Sequence, residues 1–456
     1  KPLFYFWDGK NLAFASELKS IESLKKNSFL INKNSIAEFL HLGFIPAPNT
    51  IYENVNKLYP GCYLQLSKEG LERIKYWNLS DKLHSTVVTN KAEAISKLSD
   101  LLISSVRYQL RSDVPYGVFL SGGIDSSLIT AIATTLSDSK INTFSIGFLE
   151  SKVNEAVYAK AVAAHLGTQH HEFIISHKEV INSIESAFEA YDEPNADSSI
   201  IPTLLVSKLA KEHVTVALSG EGGDELFLGY GSYQWAQRLS SPIYKLLKKP
   251  ASEILRHMSS RYQRIGKMID TSASLNRSGH IFSQEQYFFS NKEISNLALK
   301  PFSFPGYLND FVENENNFSK PISDILNSKF KAFRHLNAME QQALFDLTYY
   351  LPDDLLTKVD RASMQYSLET RVPYLDHRVI EYALNISPDL KFRDSTPKYI
   401  LKELLYQYVP KQLFDRPKQG FSIPLNKLLK HELKYLIDDY LHPDLIKKTG
   451  FVKAEE

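Results

Sequence analysis

Apolar positions in this chain follow two different periods. Near the N-terminus they come in short runs cut by turn residues. Leu3-Phe4-Tyr5-Phe6-Trp7 and Asn11-Leu12-Ala13-Phe14-Ala15 flank Asp8-Gly9, a strong hairpin signal. A short helix is predicted from Glu17 to Leu24 and a second over residues 36–42. Val55 to Leu66, with Pro60-Gly61 as the turn, and Leu71 to Trp77 read as further β structure. An isolated hairpin is marginally stable at best, so these strands need partners. The polar stretch Ser80 to Asn90 reads as a linker, dividing the chain into units of residues 1–79 and 80–456.

Beyond the linker the pattern changes. Lys91 to Leu110 carries a helical period. Strand-like runs then follow at Gly117–Leu120, Thr143–Phe148, Glu172–Ile175 and Val214–Leu218. Helix-like runs at 126–136, 154–166, 178–190 and 200–212 alternate with them. Alternation of this kind predicts a doubly wound parallel α/β sheet, with its ligand site outside the C-terminal ends of the strands. From about residue 233 the pattern is mostly helical, with loops near 240–250 and 300–325 and no internal repeat.

Composition narrows the function more than the fold. Lys+Arg 53 against Asp+Glu 52 gives a formal net charge of +1, so no nucleic-acid groove or polybasic membrane surface is expected. No apolar run is long enough to span a bilayer, and no signal-peptide core is visible. The only cysteine is Cys62, which rules out an intrachain disulfide and fits a reducing cytoplasm. The chain begins at Lys1 inside a strand-like run, as expected of a fragment or a processed chain.

The candidate chemistry lies where predicted strands end. Gly117-Val118-Phe119-Leu120-Ser121-Gly122-Gly123-Ile124-Asp125-Ser126-Ser127 is an apolar run, a Ser-Gly-Gly turn and the start of a helix. Glycines let the backbone turn its N–H groups inward, and a helix N-terminus behind them makes a nest for an anion such as a phosphate. No Lys follows the second glycine, so this is not the G-x-x-x-x-G-K-[ST] nucleotide loop. The second stretch, Leu218-Ser219-Gly220-Glu221-Gly222-Gly223-Asp224-Glu225, again ends a strand with glycines and carboxylates. Asp125 and Asp224 would then lie at two strand ends of one sheet, as two carboxylates must to share a Mg²⁺ with a triphosphate. The blander alternative makes Asp125 a helix cap and Glu221 and Asp224 solvated loop charges. The co-occurrence of both stretches weighs against it.

The first loop resembles the S-G-G-x-D-S pyrophosphate loop of the ATP-pyrophosphatases, and the whole pattern resembles the asparagine synthetase family of the glutamine-hydrolysing type. Further matches are Thr143–Phe148, Leu166–Glu172, Leu351–Met364, Glu369–Asp376 and Arg416–Phe421, so the resemblance covers about 1–75 and 90–430. It implies an adenine-nucleotide α-hydrolase fold preceded by part of an Ntn-type glutaminase domain. It also implies ATP and Mg²⁺ as cofactors and an amide formed through an acyl-adenylate. By the same resemblance, Leu120, Ile146, Ser219 and Gly220 would line the nucleotide pocket. Ser121, Gly122, Gly123, Asp125 and Ser126 would hold pyrophosphate, and Asp125 and Asp224 would ligate the metal. Glu221 would serve adenylation and act as the base for the incoming ammonia, since ammonium is not a nucleophile until a base removes its proton. Lys418 would neutralise phosphate charge. His170 and His171, adjacent on a strand, point to opposite faces and are expected to be structural.

The family's N-terminal cysteine nucleophile has no match here, and Cys62, in a β stretch after Pro60-Gly61, has no claim to that role. The 456-residue chain alone is therefore expected to use free ammonia, with glutamine use depending on an upstream glutaminase segment. Aspartate is the expected acceptor. The segment Asp192–Pro202, expected near the acceptor, holds no arginine to fork onto a second carboxylate, which keeps a sugar uronic acid open as the alternative. A non-catalytic nucleotide-binding subunit is a third reading, and a homodimer is compatible with each.

Overall fold

The computed structural model describes residues 1–24, 29–148, 156–242, 260–270, 277–300, 334–414 and 425–454, with isolated positions between 251 and 259. The expected N-terminal hairpin forms from β1 (Phe4–Trp7) and β2 (Leu12–Ala15). It is completed by β3 (Val55–Lys57), which pairs antiparallel with β1. Phe4, Phe6 and Val55 bury against Leu18 and Ile21 of the helix Leu18–Leu24, which supplies the partner this small sheet needs. The expected turn at Pro60-Gly61 forms, but it does not close a hairpin. β4 (Cys62–Ser67) pairs not with β3 but with β5 (Gly70–Lys75), so Pro60-Gly61 carries the chain from one sheet to the next. Periodicity could place these strands but not choose their partners.

The linker expected at Ser80–Asn90 is not a free tether. Leu83 is buried with Leu336, Leu344 and Leu384, and Val88 bridges to Ile386. Asn385 fixes the backbone from both sides, accepting from the His84 N–H at 2.7 Å and donating to the Lys82 carbonyl at 2.8 Å. A polar local sequence gave no sign of these long-range partners.

The main sheet is parallel throughout. Its strands are β6 (Tyr116–Phe119), β7 (Asn142–Phe148), β8 (Gln169–Ile175), β9 (Val216–Leu218) and β10 (Glu369–Arg371), in the spatial order β10-β9-β6-β7-β8. The chain moves outward from β6 through β7 to β8, returns to β9 on the other side of β6, and ends at β10. The order therefore reverses between β6 and β9, and a cleft opens at such a switch point. The doubly wound α/β expectation is met. On one face the helices Lys91–Gln109 and Ile124–Leu136 bury Leu98, Leu102, Leu128 and Ile132 in the largest core cluster. On the other, Phe144 and Ile146 of β7 pack with Leu205 and Val206 of the helix Ile200–Lys211. Each such side chain contributes roughly 1.5–3 kcal/mol by leaving water, which is enough to fix the strand ends.

Two local differences stand out. The helical run expected at 178–190 breaks at Ser183 into His177–Asn182 and Ile184–Ala190. The edge strand β10 was not expected, because three polar-flanked residues carry no strand period. The expected C-terminal helices include a π-type turn, Asp346–Leu355, running on into the helix Leu356–Met364. The loops expected near 240–250 and 300–325 fall, from residues 243 and 301 onward, outside the described residues. No helix among the described residues is long and apolar enough to cross a membrane.

The N-terminal strands dock on the segment that faces the cleft. Lys57 pairs with Glu193 at 2.7 Å, and the Ile51 N–H donates to Glu193 at 2.9 Å. The Ala196 N–H donates to the Gly43 carbonyl at 2.8 Å, and the Ala47 N–H to Asp353 at 2.9 Å.

Candidate active site

The loop after β6 turns tightly at its glycines. Gly122 has φ +75°, and a Cβ there would lie 2.6 Å from the Ala159 nitrogen, so this turn needs glycine twice over. Gly123 is the N-cap of the helix Ile124–Leu136, and no side chain caps that end. The Ser121 N–H donates to Ser126 Oγ at 3.2 Å, and the two hydroxyls lie 3.0 Å apart. This arrangement leaves the positive end of a helix at the mouth of β6, where an anion is stabilised.

The loop after β9 lies directly on the first. A Cβ on Gly220 would come within 2.8 Å of the Ser126 nitrogen, and one on Gly223 within 2.4 Å of Asp125 Oδ1. Small residues are what let the two loops touch. Between them opens a cleft of about 820 Å³. Leu120, Ser121, Gly122, Gly123, Asp125, Ser126, Ile146, Ser219, Gly220, Glu221 and Asp224 all line it. Lys418 lies outside the described residues. Asp125 sits in the first turn of its helix rather than at the cap, and its carboxylate faces a cation.

That cation is Lys398, which the sequence did not single out. Its ammonium pairs with Asp125 and, at 2.7 Å, with Asp224 Oδ1. Burial alone would pull the ammonium down, but the two carboxylates more than offset it and hold it above the usual lysine range. A lysine before a short helical run carries no local mark, and only the fold brings it to two strand ends. Two carboxylates converging on one cation suit Mg²⁺, which takes few protein ligands and completes its shell with phosphate oxygens and water. No group of three or more His, Cys, Asp or Glu among the described residues could hold a metal unaided. A metal here would therefore bind with its phosphates.

The far side of the cleft carries a second charged group. Lys358 Nζ lies 2.8 Å from Asp197 and 2.9 Å from Ser199 Oγ. Asn195 donates to Asp354 at 2.7 Å. Burial raises the Glu221 carboxyl, with Lys358 opposing it and Asp197 and Asp224 adding to it. Burial and the neighbouring Asp197 push Asp354 up to about 8. Lys358 and Asp197 lie in stretches the sequence had marked, but neither had been given a role. In the cleft wall, the Tyr230 hydroxyl donates to Glu225 at 2.6 Å.

The two histidines do not join the site. The His170 ring lies 3.0 Å from Thr143 Oγ1 and 3.1 Å from Ser145 Oγ, and burial lowers it to about 4, so it stays neutral. His171 stacks on His213 with ring centres 3.8 Å apart. Cys62 is buried at the start of β4, and burial raises its thiol, which suits packing rather than nucleophilic attack.

The asparagine synthase family profile matches residues 97–456, and the glutamine amidotransferase domain profile matches residues 1–77. Asparagine synthetase (glutamine-hydrolyzing) 1 of Bacillus subtilis is 32% identical over 462 residues, covering 98% of this chain and 69% of that protein. Asparagine synthetase (glutamine-hydrolyzing) 3 of the same organism is 29% identical, covering 92% of this chain and 63% of that protein. Amidase chyE of Penicillium rubens is 24% identical, covering 98% of this chain and 73% of that protein.

Proposed function

The chain belongs to the asparagine synthase family and is an enzyme of the ligase and amidotransferase class, and from that premise we propose that it amidates aspartate to asparagine through an acyl-adenylate at the expense of ATP. The observation that carries this reading is the meeting of the β6 and β9 loops at the switch point. It sets Asp125 and Asp224 on one cation, with Glu221 in the same cleft.

In this reading Leu120 and Ile146, both buried, face the nucleoside, and Ser219 and Gly220 lie against it. Ser121, Gly122, Gly123 and Ser126 offer donors to the phosphates. Asp125 and Asp224 would hold Mg²⁺, which supplies charge neutralisation on the triphosphate as the acceptor carboxylate approaches. Lys418, outside the described residues, would by the family resemblance neutralise phosphate charge. Glu221, with its carboxyl raised, is tuned to take the proton from ammonium at the acyl carbon. Ammonia comes free or from glutamine by way of the amidotransferase portion, to which residues 1–77 belong.

Electrostatics favour aspartate over a uronic acid. Glu221, Asp197 and Asp354 face Lys358, a set of oxygen acceptors beside one cation that suits an acceptor carrying both an ammonium and a second carboxylate. Lys358 in turn supplies the cation for a second carboxylate that residues 192–202 lack. The test is acceptor-dependent pyrophosphate release from ATP and Mg²⁺. Release with aspartate and none with a nucleotide-linked uronic acid supports the reading, and the reverse overturns it.

A further inference from the structure

Lys398 occupies the gap that the functional reading gives to a divalent cation. It is 4% exposed, its backbone is left-handed at φ 55° and ψ 34°, and its ammonium touches both Asp125 and Asp224. A non-glycine residue in that conformation is held there by its surroundings. The surroundings are tight. A Cβ on Gly229 would lie 1.9 Å from Asp224 Oδ1 and 2.2 Å from Lys398 Cε. Gly223 makes the same close approach to Asp125 on the other side. The position between the two carboxylates is thus preformed around one cation.

Resting on that reading, we propose that Lys398 is an internal stand-in for the metal. In the nucleotide-free enzyme its ammonium holds the two carboxylates in register. When Mg²⁺ arrives with a triphosphate, the ammonium gives up the carboxylates and turns to a phosphate oxygen. Two cations cannot share the same oxygens without strong repulsion, and Mg²⁺ sheds water only for good ligands. Metal alone must displace Lys398 and leave it without an anion. Metal with triphosphate brings both its own remaining ligands and a new partner for the lysine. Metal binding is therefore tied to nucleotide binding, and the flexible four-carbon stem of lysine makes the exchange feasible where arginine's planar fork would not.

The test uses Mn²⁺ as the probe, with bound metal read by electron paramagnetic resonance in wild-type enzyme and in Lys398→Gln. Without nucleotide, Lys398→Gln should bind Mn²⁺ at least roughly tenfold more tightly than wild type, because one opposing charge is gone. With ATP present the order should reverse, and the variant should bind Mn²⁺–ATP more weakly. Equal or weaker nucleotide-free binding by a folded variant overturns the proposal. Should Lys398→Gln not fold, the wild-type melting midpoint decides. It should rise with Mg²⁺ plus ATP and stay unmoved by millimolar Mg²⁺ alone, and an equal rise from Mg²⁺ alone overturns the proposal. Wild type that binds no Mn²⁺–ATP at all would instead sink the functional reading on which it rests.

Discussion

Lys57 on β3 and Glu193 beside the cleft form an ion pair 2.7 Å long, and both side chains are almost wholly removed from water. The pair ties the N-terminal strands to the segment that carries Asn195, Asp197 and Ser199. Breaking one side leaves a buried charge, so Lys57→Met should cost about 3–5 kcal/mol in urea unfolding. It should also raise the KM for the acceptor more than that for ATP. A double variant, Lys57→Met with Glu193→Leu, should recover most of the stability. Equal loss in both variants would show that the pair is not the tie.

Asp125→Ala and Glu221→Ala should each abolish acceptor-dependent pyrophosphate release while the circular dichroism spectrum stays native. Glu221→Gln should do the same and reveal the electrostatics. A carboxyl raised by burial stabilises the fold while protonated and withdraws that stability as pH rises through its folded value. The Gln variant should therefore be as stable as wild type or more so at pH 8. Normal turnover in any of the three contradicts the assigned roles.

Gly220→Ala places a methyl 2.8 Å from the Ser126 backbone nitrogen, which cannot yield as a side-chain tip would. The two loops must part, and with them the nucleotide cleft. ATP affinity measured by calorimetry should fall at least about tenfold, equivalent to about 1.4 kcal/mol, with the melting midpoint little changed. Unaltered ATP affinity would mean the loops do not need their contact.

Asp346 is 1% exposed, and burial pushes its carboxyl up to about 7, against a hydrogen bond from Gln342. The sign follows from linkage. Its contribution is fully present below the ordinary aspartate range near 4 and is lost as pH rises through about 7. Asp346→Asn should remove that loss and stabilise the enzyme at pH 8 by on the order of 2 kcal/mol relative to wild type. The gain should vanish near pH 4, where wild type is already neutral at this position. A pH-independent difference between the two would refute it.

The period of apolar residues was enough to read four of the five strands of the main sheet and the helices between them. Each of these strands buries apolar side chains in the cores that flank the sheet. That period could not pair β3 with β1 or place β10, because partner choice in a sheet is set by residues far off in the chain. The loops after β6 and β9 were legible because glycine, serine and carboxylate in a fixed order have few other uses. Lys398 and Lys358 were not, since a lysine declares its purpose only through what surrounds it. Asn385 shows the same limit from the structural side. One amide, about three hundred residues away, turns an apparent tether into a pinned strap.

The ion pair between Asp125 and Lys398 spans 273 positions of sequence. As the polypeptide leaves the ribosome, the first loop and its helix are made long before the lysine that meets them. Until then Asp125 and Asp224 repel each other across a half-formed groove, and closing so large a loop is entropically slow. A nascent chain should therefore capture no ATP until translation has passed Lys398, and nucleotide retention by stalled chains of graded length would time the moment at which the enzyme becomes itself.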